Sequence, residues 1–195
     1  LRKMLKILTE KDIPEVQRLI IENDTFQGKP VSIEYRQRMA IKSATNLSYF
    51  QHSQPYFGEF DENGKLISFV RFEIWHASES GVTNTCTLGI MFTTNSTKLE
   101  KVVGSRWSKT TINILAFAYE HLTKQGITTC YTMFPATSTW LNMGDVFPYN
   151  VKREEIMVIP AHNRTSGNAL FDKYLLQYAA YPIDQKVVKL TKMDI

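Results

Sequence analysis

The sequence predicts a single domain of the α/β (α+β) class, in which strands and helices are mixed along the chain. Three features favour this class: short apolar runs typical of strands, a hairpin signal at Asn63-Gly64, and a long apolar helix that ends near Gly126. The chain has 195 residues, of which 43% are hydrophobic and 22% are charged. A chain of this length and composition can bury a sizeable core, so we expect residues 1–195 to form one globular domain.

The first quarter of the chain predicts one strand and two helices. Residues 4–8 are apolar enough for a short strand. Thr9 then precedes two acidic residues and Pro14, a capping pattern that predicts a helix running to about Asn23. A polar loop over residues 24–30 leads to Ser32, after which spaced apolar residues indicate a second, weaker helix.

The middle of the chain predicts a hairpin, a further strand and the clearest helix. Tyr56–Phe60 and Lys65–Trp75 flank the Asn-Gly turn, and the second arm is apolar on both faces, as in a central strand. Thr85–Thr94 is a further apolar strand. The helical face of the long helix comprises Ile112, Leu115, Ala116, Tyr119 and Leu122. Its predicted end is Gly126, a typical C-terminal cap.

The remaining elements are shorter. We expect strands at Ile127–Phe134, Glu154–Ile159 and Gln185–Leu190, and a helix at Asn168–Tyr178. No internal repeat or linker divides the chain.

Composition excludes several classes of function. The net charge of +4 favours anionic ligands but is too weak, and too evenly spread, to indicate nucleic-acid binding. Cys86 and Cys130 lie in apolar runs without metal-ligand spacing, so we expect buried free thiols and no metal site. The four histidines form no triad pattern, and no phosphate-binding glycine motif is present. No export signal or long apolar span occurs, which predicts a cytoplasmic protein that does not enter a membrane.

The order of these elements resembles the GNAT (N-acetyltransferase-like) superfamily over nearly the whole chain. Residues 7–16, Ile-Leu-Thr-Glu-Lys-Asp-Ile-Pro-Glu-Val, look like the opening of that family, and the Tyr56–Trp75 hairpin resembles its second and third strands. The resemblance implies a mixed, mostly antiparallel seven-stranded sheet with helices on both faces. The segment from Pro148 onward also resembles GNAT-like proteins of marine bacteriophages.

The resemblance implies that acetyl-CoA binds at the end of the fourth strand and at the following helix. Two registers of the family's glycine-rich phosphate motif compete: residues 101–106, which keep Gly104, and residues 106–111, which keep Arg106 and lack both glycines. We prefer the second register, because the distance from Arg106 to Gly126 then matches the length of the family's helix. The candidate residues for the pyrophosphate are therefore Arg106, Trp107, Ser108, Lys109, Thr110 and Thr111. Those for the thioester carbonyl are Met91, Phe92 and Thr93.

The catalytic groups depart from the family pattern. Residues 140–145 resemble the motif whose tyrosine protonates the leaving thiolate, but that position is Trp140, so Tyr149, Tyr131 or water would have to substitute. Glu73 is the candidate general base, because it is the carboxylate within a predicted central strand. Alternatively, Glu73 forms an ion pair with Arg71, two residues away.

The predicted function is acetyl transfer from acetyl-CoA to an amine of a small molecule or a protein. The alternative function is a non-catalytic binding or structural module on the same fold, encoded by a bacteriophage and residing in the host cytoplasm. The missing glycines and Trp140 favour this alternative.

Overall fold

The computed structural model describes residues 4–26, 29–94, 109–137, 151–176 and 181–192. The strands are β1 (Met4–Ile7), β2 (Thr25–Phe26), β3 (Lys29–Pro30), β4 (Tyr56–Phe60), β5 (Leu66–Ile74), β6 (Thr85–Thr93), β7 (Thr129–Pro135), β8 (Val151–Ile159) and β9 (Gln185–Lys192). The helices are α1 (Ile13–Glu22), α2 (Ile33–Tyr49), α3 (Ala77–Ser80), α4 (Lys109–Lys124) and α5 (Ala169–Tyr174), and a 3₁₀ turn, Glu10–Asp12, leads into α1.

Helix ends follow the capping residues that the sequence shows. The backbone N–H of Thr9 donates to Asp12 Oδ2 at 2.8 Å, which stabilises the entry to α1. Ser32 Oγ accepts the N–H of Tyr35 at 3.1 Å and caps α2. Gly126, just after α4, has a φ of 91°, a conformation that glycine adopts without strain. The predicted positions of these three helix ends are confirmed.

The described strands form a seven-stranded sheet in the order β1-β4-β5-β6-β7-β9-β8, and β2 and β3 form a separate two-stranded sheet. β6 and β7 run parallel, whereas β1 with β4, β4 with β5, β7 with β9 and β8 with β9 are antiparallel. The predicted mixed, mostly antiparallel seven-stranded sheet is confirmed.

The described residues divide into two compact units. One comprises Leu1–Phe72 and Ile90–Tyr119, and the other comprises Glu73–Gly89 and Glu120–Ile195. Two such units are compatible with one folding domain or with two, so the single domain remains a prediction.

Tyr56 and Phe57 show how helices cover the sheet of the first unit. The Tyr56 hydroxyl accepts from Asn46 Nδ2 at 3.2 Å and donates to Ser43 Oγ at 3.1 Å, which holds α2 against the strand. The ring of Phe57 meets that of Phe117 on α4 edge-on, with centroids 6.0 Å apart. Because successive side chains of a strand point to opposite faces, α2 and α4 lie on opposite faces of the sheet.

The core of the second unit is built around Trp75. Its ring stacks on Tyr131, with centroids 5.1 Å apart, and on Tyr174, with centroids 4.8 Å apart. Its indole Nε1 donates to Thr87 Oγ1 at 2.5 Å, so the polar atom of this buried side chain is satisfied. The other buried members of the cluster are Ile159, Phe171, Leu175 and Val187.

Several element bounds differ from those that the sequence predicts. β8 starts at Val151 rather than Glu154, because cross-strand pairing with β9 continues past its apolar part. α5 ends at Tyr174 rather than Tyr178, where the N–H of Leu176 donates back to the carbonyl of Phe171 at 3.1 Å and closes the helix. The predicted loop at residues 24–30 contains the short β2–β3 pair.

Candidate functional site

Met91, Phe92 and Thr93 form the end of β6, where all three are half-buried. The ring of Phe92 stacks on that of Phe69 in β5, with centroids 5.4 Å apart. Ser68 Oγ lies 3.0 Å from the carbonyl oxygen of Phe92, to which it donates, and 2.8 Å from Thr93 Oγ1. These contacts tie the end of β6 to β5 and set its register there.

β6 contains one more residue than the stretch of β5 beside it. The N–H of Trp75 donates to the carbonyl of Thr85 at 2.9 Å at one end, and the N–H of Thr94 donates to the carbonyl of Ile67 at 2.8 Å at the other. Trp75 is eight residues beyond Ile67, whereas Thr94 is nine residues beyond Thr85. A one-residue excess on one strand is a β-bulge. Ser68 already lies opposite Thr93, in the same register as Ile67 opposite Thr94, so the extra residue of β6 comes before Thr93.

The bond between Thr94 and Ile67 also sets the direction of the neighbouring backbone groups. In an antiparallel ladder, alternate residues bond to the same neighbouring strand. Because the N–H of Thr94 points to β5, the N–H of Thr93 points to the opposite edge of β6. The pairing at that edge, with β7, covers only Thr85 to Thr87 among the described residues. The Thr93 N–H is therefore a donor without a strand partner in the described part of the chain.

The start of α4 presents one exposed cation and two buried threonines. Lys109 is exposed, whereas Thr110 and Thr111 keep only 3% and 7% of their surface accessible. Because Thr110 and Thr111 are buried, the exposed group at this end of the helix that suits an anion is the Lys109 ammonium. The other predicted pyrophosphate residues, Arg106, Trp107 and Ser108, and the competing register 101–106, lie outside the described residues.

Glu73 lies near the end of β5 and is half-buried. Arg71, its predicted alternative partner, is almost fully buried, and its Nη1 donates to Gln54 Oε1 at 3.0 Å. The pKa of Lys173 is raised chiefly by its hydrogen bond to Glu79, and the charge of Glu73 adds to this effect. Glu73 thus belongs to an electrostatic group with Lys173, and its role as a general base remains a prediction.

Of the candidate proton donors, only Tyr131 lies within the described residues. Its ring is held by Trp75 and by Phe171, with centroids 5.1 Å from each. Trp140 and Tyr149 lie in the segment that the structure does not describe. The assignment of a general acid therefore remains a prediction.

The β6 bulge is the feature of the site that the sequence analysis missed. Gly89, within the strand, is a signal that could have found it, because an isolated glycine in a strand often marks a bulge.

The two cysteines pair across the parallel strands. Cys86 is the register partner of Cys130, and both are buried free thiols, as predicted. The hydrogen bond with Cys130 and burial hold the pKa of the Cys86 thiol well above its usual value. A buried thiol with a raised pKa, such as that of Cys86, contributes to packing rather than to chemistry.

The described residues show no sign of two other kinds of site. No group of three or more His, Cys, Asp or Glu side chains there has an arrangement that could hold a metal ion. No helix in those ranges combines the length and apolarity needed to span a bilayer.

Comparison with known proteins gives a likeness in structure alone. No protein-family model matches the chain, and no curated protein matches it in sequence. A probable acetyltransferase from Staphylococcus epidermidis ATCC 12228 superposes with a TM-score of 0.65 at 11% identity, over 98% of this chain and 100% of that chain. The ribosomal-protein-S18-alanine N-acetyltransferase from Escherichia coli superposes with a TM-score of 0.60 at 14% identity, over 100% and 97% of the chains.

A third similar structure is the GNAT superfamily phosphinothricin acetyltransferase (Pat) from Sinorhizobium meliloti in complex with AcCoA. It superposes with a TM-score of 0.60 at 10% identity, over 98% of this chain and 89% of that chain. Coverage is nearly complete in both directions for all three. The chain therefore has the fold of the GNAT superfamily acetyltransferases.

Proposed function

We propose that this chain is an acetyl-CoA-dependent N-acetyltransferase that acts on an amine of a small molecule or a protein. The observation that carries the proposal is the bulge in β6, which leaves the N–H of Thr93 directed away from β5. Bulges are enriched beside active sites because they redirect backbone groups in this way.

The Thr93 N–H is suited to binding the carbonyl oxygen of a thioester. Acetyl-CoA supplies an activated acetyl group, and attack by a neutral amine on its carbonyl carbon places negative charge on that oxygen. A preorganised backbone donor stabilises this charge more than it stabilises the neutral ground state. Breaking the carbon–sulfur bond then yields the acetylated amine and the CoA thiolate, and the amine proton passes to a base, for which Glu73 is the candidate.

The start of α4 is suited to binding the pyrophosphate. Helix N-termini attract anions through their N–H groups and the helix dipole, and Lys109 adds an exposed positive charge. We assign this role to residues 106–111, within which Lys109 is exposed and belongs to the same compact unit as Thr93.

The similar structures support the same chemistry. The three reported above are acetyltransferases by name, and one of them is bound to AcCoA. One of them acts on an alanine of a ribosomal protein and another on phosphinothricin, so the fold accepts both classes of acceptor. The acceptor of this chain, its cytoplasmic location and its bacteriophage origin remain hypotheses.

The proposal is tested by binding and turnover on one preparation. Saturating acetyl-CoA should raise the free energy of unfolding, by about 2.7 kcal/mol at roughly 100 times the Kd, measured by thermal or urea unfolding. Release of free CoA thiol should then depend on an added amine from a panel of polyamines, amino acids and peptide N-termini. Stabilisation without amine-dependent release would favour the non-catalytic binding module, and no stabilisation would contradict the proposed cofactor.

A further inference from the structure

β8 lies at one end of the sheet, and none of the other described strands pairs with its outer edge. It is nine residues long, and β9 is its ladder partner within the described part of the chain. An open strand edge presents a row of N–H and C=O groups that can pair with another chain.

The charges on β8 are ordered so that the strand complements itself. Lys152 and Arg153 are followed directly by Glu154 and Glu155. Side chains of a strand alternate between faces, and the 3.0 Å ion pair of Lys152 with Glu154 shows that these two share a face. The side chains of Lys152 and Glu154 keep 62% and 40% of their surface exposed, so both are available to a partner.

Only antiparallel pairing of two β8 strands brings residues of opposite charge together. In a parallel pair of two copies, each charge would lie opposite its own kind. In an antiparallel pair related by a two-fold axis at Arg153, Lys152 of each copy lies directly opposite Glu154 of the other. Glu155 of each copy then lies diagonally across from Arg153 of the other, within reach of its long side chain. This register uses the regular part of β8, because a bulge interrupts the strand between Glu155 and Met157.

Glu155 adds a second contact of opposite charge in this register. Its side chain is 56% exposed, although it also meets Lys186, and it lies diagonally across from Arg153 of the other copy.

We propose that β8 is the interface of a homodimer, in which two copies pair their β8 strands antiparallel about a two-fold axis at Arg153. The interface extends the sheet across both copies and places Lys152 of each copy directly opposite Glu154 of the other. The two Arg153 side chains meet at the axis, where each has Glu155 of the other copy as its diagonal neighbour. The proposal does not depend on acetyl transfer.

Sedimentation velocity of the full chain at about 1 to 100 µM tests the proposal, since a dimer whose Kd lies within that range changes its populated fraction across it. The parent chain should form a concentration-dependent dimer. Lys152→Glu alone and Glu154→Lys alone each place like charges opposite one another, so each should weaken self-association about tenfold or more. An equimolar mixture of these two variants should recover a heterodimer, and the double variant Lys152→Glu/Glu154→Lys should recover the homodimer.

Lys124→Glu is the matched control, because it makes the same change of charge on α4, away from β8. It should leave self-association unchanged, and circular dichroism should show that every variant is folded. A parent chain that stays monomeric throughout the range overturns the proposal. So do single variants that dimerise as well as the parent, or a mixture of variants that does not recover the dimer.

Discussion

The backbone N–H of Thr94 donates to the carbonyl of Ile67 at 2.8 Å, and this bond directs the preceding N–H, that of Thr93, away from β5. If Thr93 holds the thioester carbonyl, replacing its amide by an ester, with an α-hydroxy acid at position 93, removes the donor and keeps the side chain. We expect kcat/KM for acetyl transfer to fall by about 10²–10³. Stability to urea should change little, because no strand partner is lost.

An ester at position 94 is the control for this experiment. It removes the N–H that bonds to Ile67, so it should lower the free energy of unfolding by about 1 kcal/mol and leave chemistry nearly unchanged. Equal losses of activity in the two esters would show that the Thr93 N–H has no special role.

Lys109 tests the position of the pyrophosphate. Lys109→Ala removes the exposed cation at the start of α4, and we expect the affinity for acetyl-CoA to fall by about 1.5–3 kcal/mol, as for one charged hydrogen bond. Calorimetric titration measures this directly. Lys124→Ala, at the other end of the same helix, should leave the affinity unchanged. A similar loss in both variants would indicate general electrostatic attraction rather than a site.

Strong local signals account for what the sequence predicted of the fold. The Asn63-Gly64 turn specifies the β4–β5 hairpin, since Gly64 has a φ of 78° and the two strands pair around it. The α4 helix follows from its apolar periodicity and from Gly126. The parallel pairing of β6 with β7 has no local signal, because it depends on contacts between residues more than 40 positions apart.

The candidate site was less predictable, for a physical reason. A bulge changes which backbone groups face a neighbouring strand, and its position depends on pairing across strands rather than on the side chains of one segment. The sequence therefore predicted that Met91, Phe92 and Thr93 belong to the site, but not which N–H would be directed away from β5. Burial of Thr110 and Thr111 is likewise set by tertiary packing.

Glu79 should make the stability depend on pH. Its carboxylate accepts hydrogen bonds from Lys173 Nζ and from the Tyr174 hydroxyl, and the Lys173 bond is the main reason that the pKa of Glu79 lies below its ordinary value. A depressed folded-state pKa gives stability that is present above the unfolded pKa and lost as the pH falls through the folded one.

We therefore expect Glu79→Gln to be less stable than the parent at neutral pH, with the difference shrinking below the ordinary pKa of a glutamate. Urea unfolding from about pH 7 down to about pH 3 measures this window. Glu62→Gln, in the exposed β4–β5 turn, should show no such trend. A difference that is constant over the whole range would mean that Glu79 stabilises the fold through packing rather than charge.

The bond from Trp75 Nε1 to Thr87 Oγ1 should contribute measurably to the stability of the second unit. Both side chains are buried, so water cannot replace the acceptor if the hydroxyl of Thr87 is removed. Thr87→Val removes the acceptor at nearly constant volume, so we expect a loss of about 1–3 kcal/mol in the free energy of unfolding. Trp75→Phe removes the donor and part of the ring that stacks on Tyr131 and Tyr174, and should lower the free energy of unfolding further.

In the double variant Thr87→Val/Trp75→Phe the unsatisfied indole is gone. Its loss of unfolding free energy should therefore be smaller than the sum of the two single losses, by about 1 kcal/mol or more. Thr87→Ser, which keeps the hydroxyl, should stay close to the parent. Strictly additive losses in urea unfolding would show that the bond contributes nothing beyond the packing of the two side chains.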